Sequence, residues 1–103
     1  LAGAAHAFKV QANGVVLGLL DPAQHLFPDQ TREFAEACEA MIETAMGRHI
    51  RVLTPLIEFS KSDVLAMAEA RGLTGTYSCH AGGDTPCGVC VACVEIINAE
   101  KRR

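Results

Sequence analysis

The feature that most constrains this chain is a run of four cysteines, Cys79-x7-Cys87-x2-Cys90-x2-Cys93, in a sequence of 103 residues. Each C-x2-C step brings two sulfurs within reach of one ion, as tetrahedral zinc with Zn–S near ~2.3 Å requires. Gly82-Gly83 and Gly88 let the backbone turn tightly enough to return the first cysteine to the other three. Disulfides between cysteines so close in sequence are strained, and a total of five cysteines does not close into pairs. The spacing therefore predicts a metal centre. A four-cysteine zinc site is the first reading, and an iron–sulfur cluster competes because C-x2-C-x2-C also occurs in ferredoxin-type runs. Four thiolates leave no open position for water, so zinc here is expected to be structural. His80 could replace Cys79 as a ligand, although adjacent residues seldom both point inward. Cys38 stands apart on a helical apolar stripe and reads as core packing.

Composition narrows the partners. Hydrophobic residues make up 50% and charged residues 20%, the balance of a globular domain, and no apolar run approaches a membrane span. A net charge of −3 argues against a broad nucleic-acid or anionic-membrane surface. The basic cluster Lys101-Arg102-Arg103 sits at the C-terminal end. The N-terminal apolar stretch has no basic segment before it, so a reducing, cytoplasmic setting is expected. Because the chain opens with Leu1, it reads as a piece of something longer.

Periodicity and turn residues order the elements. Residues 1–12 predict an alanine-rich helix stopped at Asn13-Gly14. The apolar run at 15–20 predicts a strand buried on both faces, followed by a proline-bearing loop over 21–29. A second helix is expected from Asp29, as N-cap, to about Met46, with Phe34, Cys38, Met41 and Ala45 on its buried face and Gly47 closing it. Residues 49–53 predict a second strand, stopped by Thr54-Pro55. Ser60, with Asp63 in a variant capping box, starts a third helix whose stripe is Val64, Met67 and Ala68 and whose stop is Gly72. An extended piece at 74–78, the cysteine loop and a helix from about Val91 complete the chain. This order predicts an α/β fold with parallel pairing, although two strands are too few for such a sheet to stand alone.

Two further signals carry chemistry. Lys61 follows a helix N-cap, where the macrodipole disfavours a cation. It is either a solvated lysine or one that faces a phosphate held by the same helix terminus. The 21–29 loop follows a strand, and α/β proteins bind ligands at the carboxyl ends of strands. Asp21, His25 and Asp29 are its candidate polar groups.

Four stretches together resemble the 7-cyano-7-deazaguanine synthase family, the QueC or ExsB ligases of queuosine biosynthesis. They are VVLG at 15–18, FPD with a following EF at 27–34, PL with SKSD at 55–63, and YSCHAGGDTPCGVCVAC at 77–93. The resemblance covers nearly the whole chain but only about the C-terminal half of the family. It implies part of a three-layer, parallel-sheet PP-loop ATPase fold of the adenine-nucleotide α-hydrolase-like type, with a C-terminal four-cysteine zinc loop and helix. Residues 1–73 would belong to the PP-loop-type domain and residues 74–103 to the zinc loop and terminal helix. It also implies an ATP- and magnesium-dependent ligation of ammonia to a deazaguanine acid, giving a nitrile. Cys79, Cys87, Cys90 and Cys93 take the zinc, Lys61 a phosphate, and Asp29 with Phe27 a place beside the substrate. The family's acidic residue before the FPD segment is Ala23 here, its nearby arginine is Thr31 with Arg32 adjacent, and a tyrosine after the first cysteine is His80. The Ser-Gly-Gly-x-Asp-Ser loop that holds ATP is absent from these residues. The chain alone is therefore expected to be inactive and to homo-oligomerise or need an N-terminal half. The alternatives are a non-catalytic zinc-binding interaction module and a divergent PP-loop enzyme that amidates another substrate.

Overall fold

A computed structural model describes residues 1–21, 23 and 27–102. The candidate His25 lies outside the described residues. The chain divides into two compact units, Leu1–Glu58 and Phe59–Arg103. The first holds helix α1 (Ala2–Lys9), strand β1 (Gly14–Val16), a 3-10 turn (Pro28–Gln30), helix α2 (Arg32–Met46) and strand β2 (Arg51–Leu53). The second holds helices α3 (Lys61–Ala70) and α4 (Val91–Lys101). The α/β class with parallel pairing is thus observed. β1 and β2 pair in parallel, Gly14 opposite Arg51, Val15 opposite Val52 and Val16 opposite Leu53.

In the first unit Ala4 and Ala7 of α1, Ile42 of α2 and the fully buried Ile50 form the core, with Val15 and Val52 packed against them. Small side chains on α1 permit this close approach: a Cβ on Gly3 would lie 3.2 Å from the Val15 side chain. Side chains alternate across a strand, so the other face carries Val16 and Leu53. Val16 is 64% exposed, which corrects the expectation of a strand buried on both faces. The ladder is also shorter than residues 15–20. Its last bond runs from the Leu17 N–H to the Leu53 carbonyl, because β2 gives way to a turn in which Ile57 N–H meets the Thr54 carbonyl.

On the side facing β1 the Arg51 N–H donates to the Asn13 carbonyl and the Leu53 carbonyl accepts the Leu17 N–H, at the two ends of that strand. The Val52 N–H therefore points to the outer side of β2, where the Glu39 carboxylate accepts it at 2.7 Å. Glu39 occupies the edge at which another strand would otherwise pair. His49 lies between Glu39 and Glu43, 3.6 and 3.4 Å away.

Two helix boundaries and one helix face differ from expectation. α1 ends at Lys9 because Gln11, not Gly14, takes the left-handed conformation, with φ of 61°. The Gln11 and Ala12 N–H groups then close back on the Phe8 and Ala7 carbonyls, a Schellman arrangement. Arg48 reinforces it, donating to the Phe8 and Ala12 carbonyls with its guanidinium 5.4 Å from the Phe8 ring centroid. Gly14 serves the sheet instead, its missing side chain leaving room for the Arg51 carbonyl. The N-cap of α2 is Thr31, whose hydroxyl accepts the Phe34 N–H at 3.2 Å, because Asp29 is taken up in the preceding 3-10 turn. The buried face of α2 is rotated by one residue. Ala35 and Ile42 are buried, whereas Phe34 and Met41 are exposed and Cys38 is half-buried.

Gly47 and Gly72 close α2 and α3 in the left-handed conformation, as expected. α3 begins with the expected box: the Ser60 hydroxyl accepts the Asp63 N–H and the Asp63 carboxylate accepts the Ser60 N–H. Those bonds, the backbone one first, hold the Asp63 carboxyl below its ordinary value. α3 packs on α4, where the Ser62 hydroxyl donates to the Ala99 carbonyl at 2.9 Å. Among the described residues no helix is long and apolar enough to cross a membrane.

The rotated face of α2 sets a test. Ile42→Ala should cost about 3 kcal/mol in denaturant unfolding, as buried isoleucine truncations do. Met41→Ala should stay within about 0.5 kcal/mol, as surface changes do.

Candidate metal centre

The four cysteines come from a loop and the start of a helix. Gly82 and Gly88 carry φ values of 72° and 78°, turns that a side chain would strain. Cys90 is the N-cap of α4, its Sγ accepting the Cys93 N–H at 3.4 Å. The first turn of a helix thus fixes two of the four sulfurs, at the end whose dipole favours a thiolate. The Cys87 Sγ accepts from Val89 at 3.4 Å and Cys90 at 3.3 Å. The Cys79 Sγ accepts from Ala81 at 3.4 Å and Cys87 at 3.3 Å. The four sulfurs lie within 4.8 Å of one another.

This donor set fits a metal. One ion at roughly 2.3 Å from four sulfurs spaces them roughly 3.8 Å apart in a tetrahedron. The N–H groups aimed at the sulfurs supply the outer hydrogen bonds that orient such ligands. The Cys87 and Ala81 amides hold the Cys79 thiol down at about 6, and the His80 and Cys93 amides lower Cys90. Cys93 accepts the Gly88 amide, but loss of water and the adjoining thiols outweigh it and push the thiol up to about 11. So close together, the four sulfurs cannot all carry charge unless a cation joins them.

His80 is exposed and lies outside this group. Cys38 lies in the other unit. The Lys61 ammonium stands 3.7 Å from the Glu95 carboxylate of α4. Glu95 was not legible in the sequence as its partner; only packing of α3 on α4 brings the two together. Asp29 lies in the 3-10 turn and is exposed, as is Phe27 just before it, and the Asp21 carboxylate accepts the Ala23 N–H at 2.9 Å. Tyr77, which the sequence singles out only as the first residue of the 77–93 stretch, donates its hydroxyl to the Gly83 carbonyl at 2.8 Å beside the centre. Partial loss of water first, then the neighbouring Cys79 thiol, raises the Tyr77 pKa above the ordinary phenol value.

Fold and site together define an α/β chain with a C-terminal four-cysteine loop able to hold a metal ion. Residues 1–100 match the family described as queuosine biosynthesis protein QueC, and the chain belongs to that family. Curated relatives agree. It is 35% identical over 94 residues to the 7-cyano-7-deazaguanine synthase of Campylobacter curvus (strain 525.92), covering 87% of this chain and 42% of the relative. The enzyme of the same name from Marinomonas sp. (strain MWYL1) is 31% identical over 97 residues, 92% of this chain and 44% of the relative. That of Methanothermobacter thermautotrophicus is 32% identical over 94 residues, 89% and 42% respectively. The chain thus spans less than half the length of these relatives.

The thiols give a pH test. A depressed thiol pKa means that the Cys79 thiolate is present above about pH 6 and lost as pH falls through that value. Ultraviolet thiolate absorbance of the metal-free chain should show one such step near pH 6, removed by Cys79→Ser. Bound metal should hold the ligands deprotonated below that value and be released only at lower pH, where protons outcompete it.

Proposed function

We propose that this chain is the zinc-bearing C-terminal part of an ATP-dependent ligase that makes 7-cyano-7-deazaguanine from 7-carboxy-7-deazaguanine and ammonia in queuosine biosynthesis. The single observation that carries this reading is the convergence of Cys79, Cys87, Cys90 and Cys93, in the segment that most resembles the family, on a space the size of one ion. In this reading zinc is structural, since four thiolates fill its tetrahedron and leave no place for substrate or water. The close approach of the sulfurs favours one ion over an iron–sulfur cluster, which needs its cysteines spread around several metals.

Residues 1–73 supply part of the PP-loop-type α/β domain, and residues 74–103 the zinc loop and terminal helix. A parallel sheet of only two strands, whose β2 edge is taken by Glu39, is completed by further strands on the β1 side. A further layer covers the exposed Val16 face, and both come from an N-terminal half or another copy. The ATP loop and its magnesium belong to that remainder. Lys61 faces a phosphate, with Glu95 orienting its ammonium at the start of α3. Asp29 and the half-exposed Phe27 form part of the wall for the deazaguanine acid. The enzyme works in the cytoplasm on a small molecule, without nucleic acid or membrane.

Metal analysis of the purified chain should give one zinc per chain in a colourless protein. A brown protein with visible charge-transfer bands would replace zinc by iron and sulfur. Cys90→Ser should lose the metal and melt far below Cys38→Ala, since structural zinc contributes about 10 kcal/mol or more to folding. In the complete enzyme, Lys61→Ala should slow turnover while barely moving the melting temperature, because a half-exposed ion pair contributes at most about 1 kcal/mol. Unchanged kinetics would return Lys61 to a purely structural pairing with Glu95.

A further inference from the structure

The weakest part of the metal centre, before any ion binds, is the spacer that joins Cys79 to Cys87. It is exposed along its length and carries two adjacent glycines, Gly82-Gly83. Such a segment has the most backbone freedom to lose when it is ordered. The N–H bonds received by the Cys79 sulfur come from Ala81 and Cys87, so they form only once the spacer has already folded back. Tyr77 offers a tie of another kind. Its hydroxyl donates to the Gly83 carbonyl at 2.8 Å, good geometry for an O–H donor. Tyr77 stands two residues before Cys79 and Gly83 four residues after it, so the bond clamps the chain on both sides of that ligand. The Tyr77 side chain is half in water, 49% exposed, so burial does not demand this partner for the hydroxyl.

We propose that Tyr77 is a positioning residue for the metal centre: its hydroxyl, by holding the Gly83 carbonyl, sets the Cys79–Cys87 spacer in its metal-binding course before the ion arrives. The inference rests on the metal reading above and adds to it a residue that is not a ligand. Its chemical content is preorganisation. Without the tie, part of the free energy of metal binding goes into ordering the glycine spacer, and the Cys79 sulfur leaves the ion more readily. Outer-shell hydrogen bonds at metal sites change affinity by about 10- to 100-fold. A single tie at an exposed loop belongs at the lower end of that range.

The experiment uses the full 103-residue chain and zinc itself. Zinc affinity by chelator competition and the rate of zinc release are measured for wild type, Tyr77→Phe and Thr76→Val. The last removes a hydroxyl one residue away. Tyr77→Phe should weaken zinc binding about 10-fold and speed release to match, with Thr76→Val at wild-type values. Cobalt substituted for zinc should show the same four-sulfur spectrum in wild type and Tyr77→Phe, since the ligands are unchanged. An affinity within twofold of wild type would overturn the inference, as would an equal loss in Thr76→Val. A zinc-saturated Tyr77→Phe chain without the wild-type far-ultraviolet spectrum would also overturn it, because the hydroxyl would then be supporting the fold and not the spacer. A wild-type chain that takes up no zinc would instead refute the metal reading itself.

Discussion

In residues 59–103 the groups most fully withdrawn from water are sulfur atoms as much as hydrocarbon. Among the described residues of that unit, the buried side chains are Cys79, Cys93 and Ala99. A segment this short cannot draw stability from an apolar core it does not have, and small units of this kind depend on a metal or other cross-link. The gathering of four thiols is therefore the constraint on which the rest of the unit hangs. It fixes where the loop turns and where α4 begins, with Cys90 both a sulfur of the cluster and the cap of the helix. The apolar residues of α4 are freed from core duty, and Val91, Val94 and Ile97 remain substantially exposed.

The first unit is built on a different economy. Its core is made of alanines on α1, one isoleucine from α2 and Ile50 just ahead of β2, packed on the valine pair of the sheet. Small residues let α1 lie close to β1, so little volume is enclosed, and a short parallel ladder is stabilised from one side. Arg48 joins the end of α1 to the chain leading into β2 by hydrogen bonds to carbonyls and by its approach to Phe8. Polar groups thus set the boundaries of this unit, while a handful of apolar ones fill it.

The cysteine cluster was legible because its ligands are local. The spacing of four like residues within a single loop states the geometry almost directly. The cap at Ser60 and the stops at Gly47 and Gly72 were legible for the same reason, each depending on two or three neighbours in sequence. What misled was periodicity without a direction. Phe34, Cys38, Met41 and Ala45 and the set Ala35, Glu39, Ile42 and Met46 share one period, and the larger apolar residues pointed to the wrong one. The sheet needs a small residue at 35 and a carboxylate at 39, and no count of apolar residues reveals that. The stop of α1 was missed because glutamine seldom adopts the left-handed conformation, and the arginine that supports it is nearly 40 residues away. Lys61 meeting Glu95, and Tyr77 meeting Gly83, are likewise matters of folded proximity.

The carboxylate at position 39 gives the small sheet a polarity across its width. By accepting the Val52 N–H it makes the outer side of β2 a terminus, where an incoming strand would find its donor already engaged and a negative charge in its path. β1 has no such guard among the described residues. A sheet built on this pair therefore has a finished border and an unfinished one, and further strands can be laid down only from β1 outward.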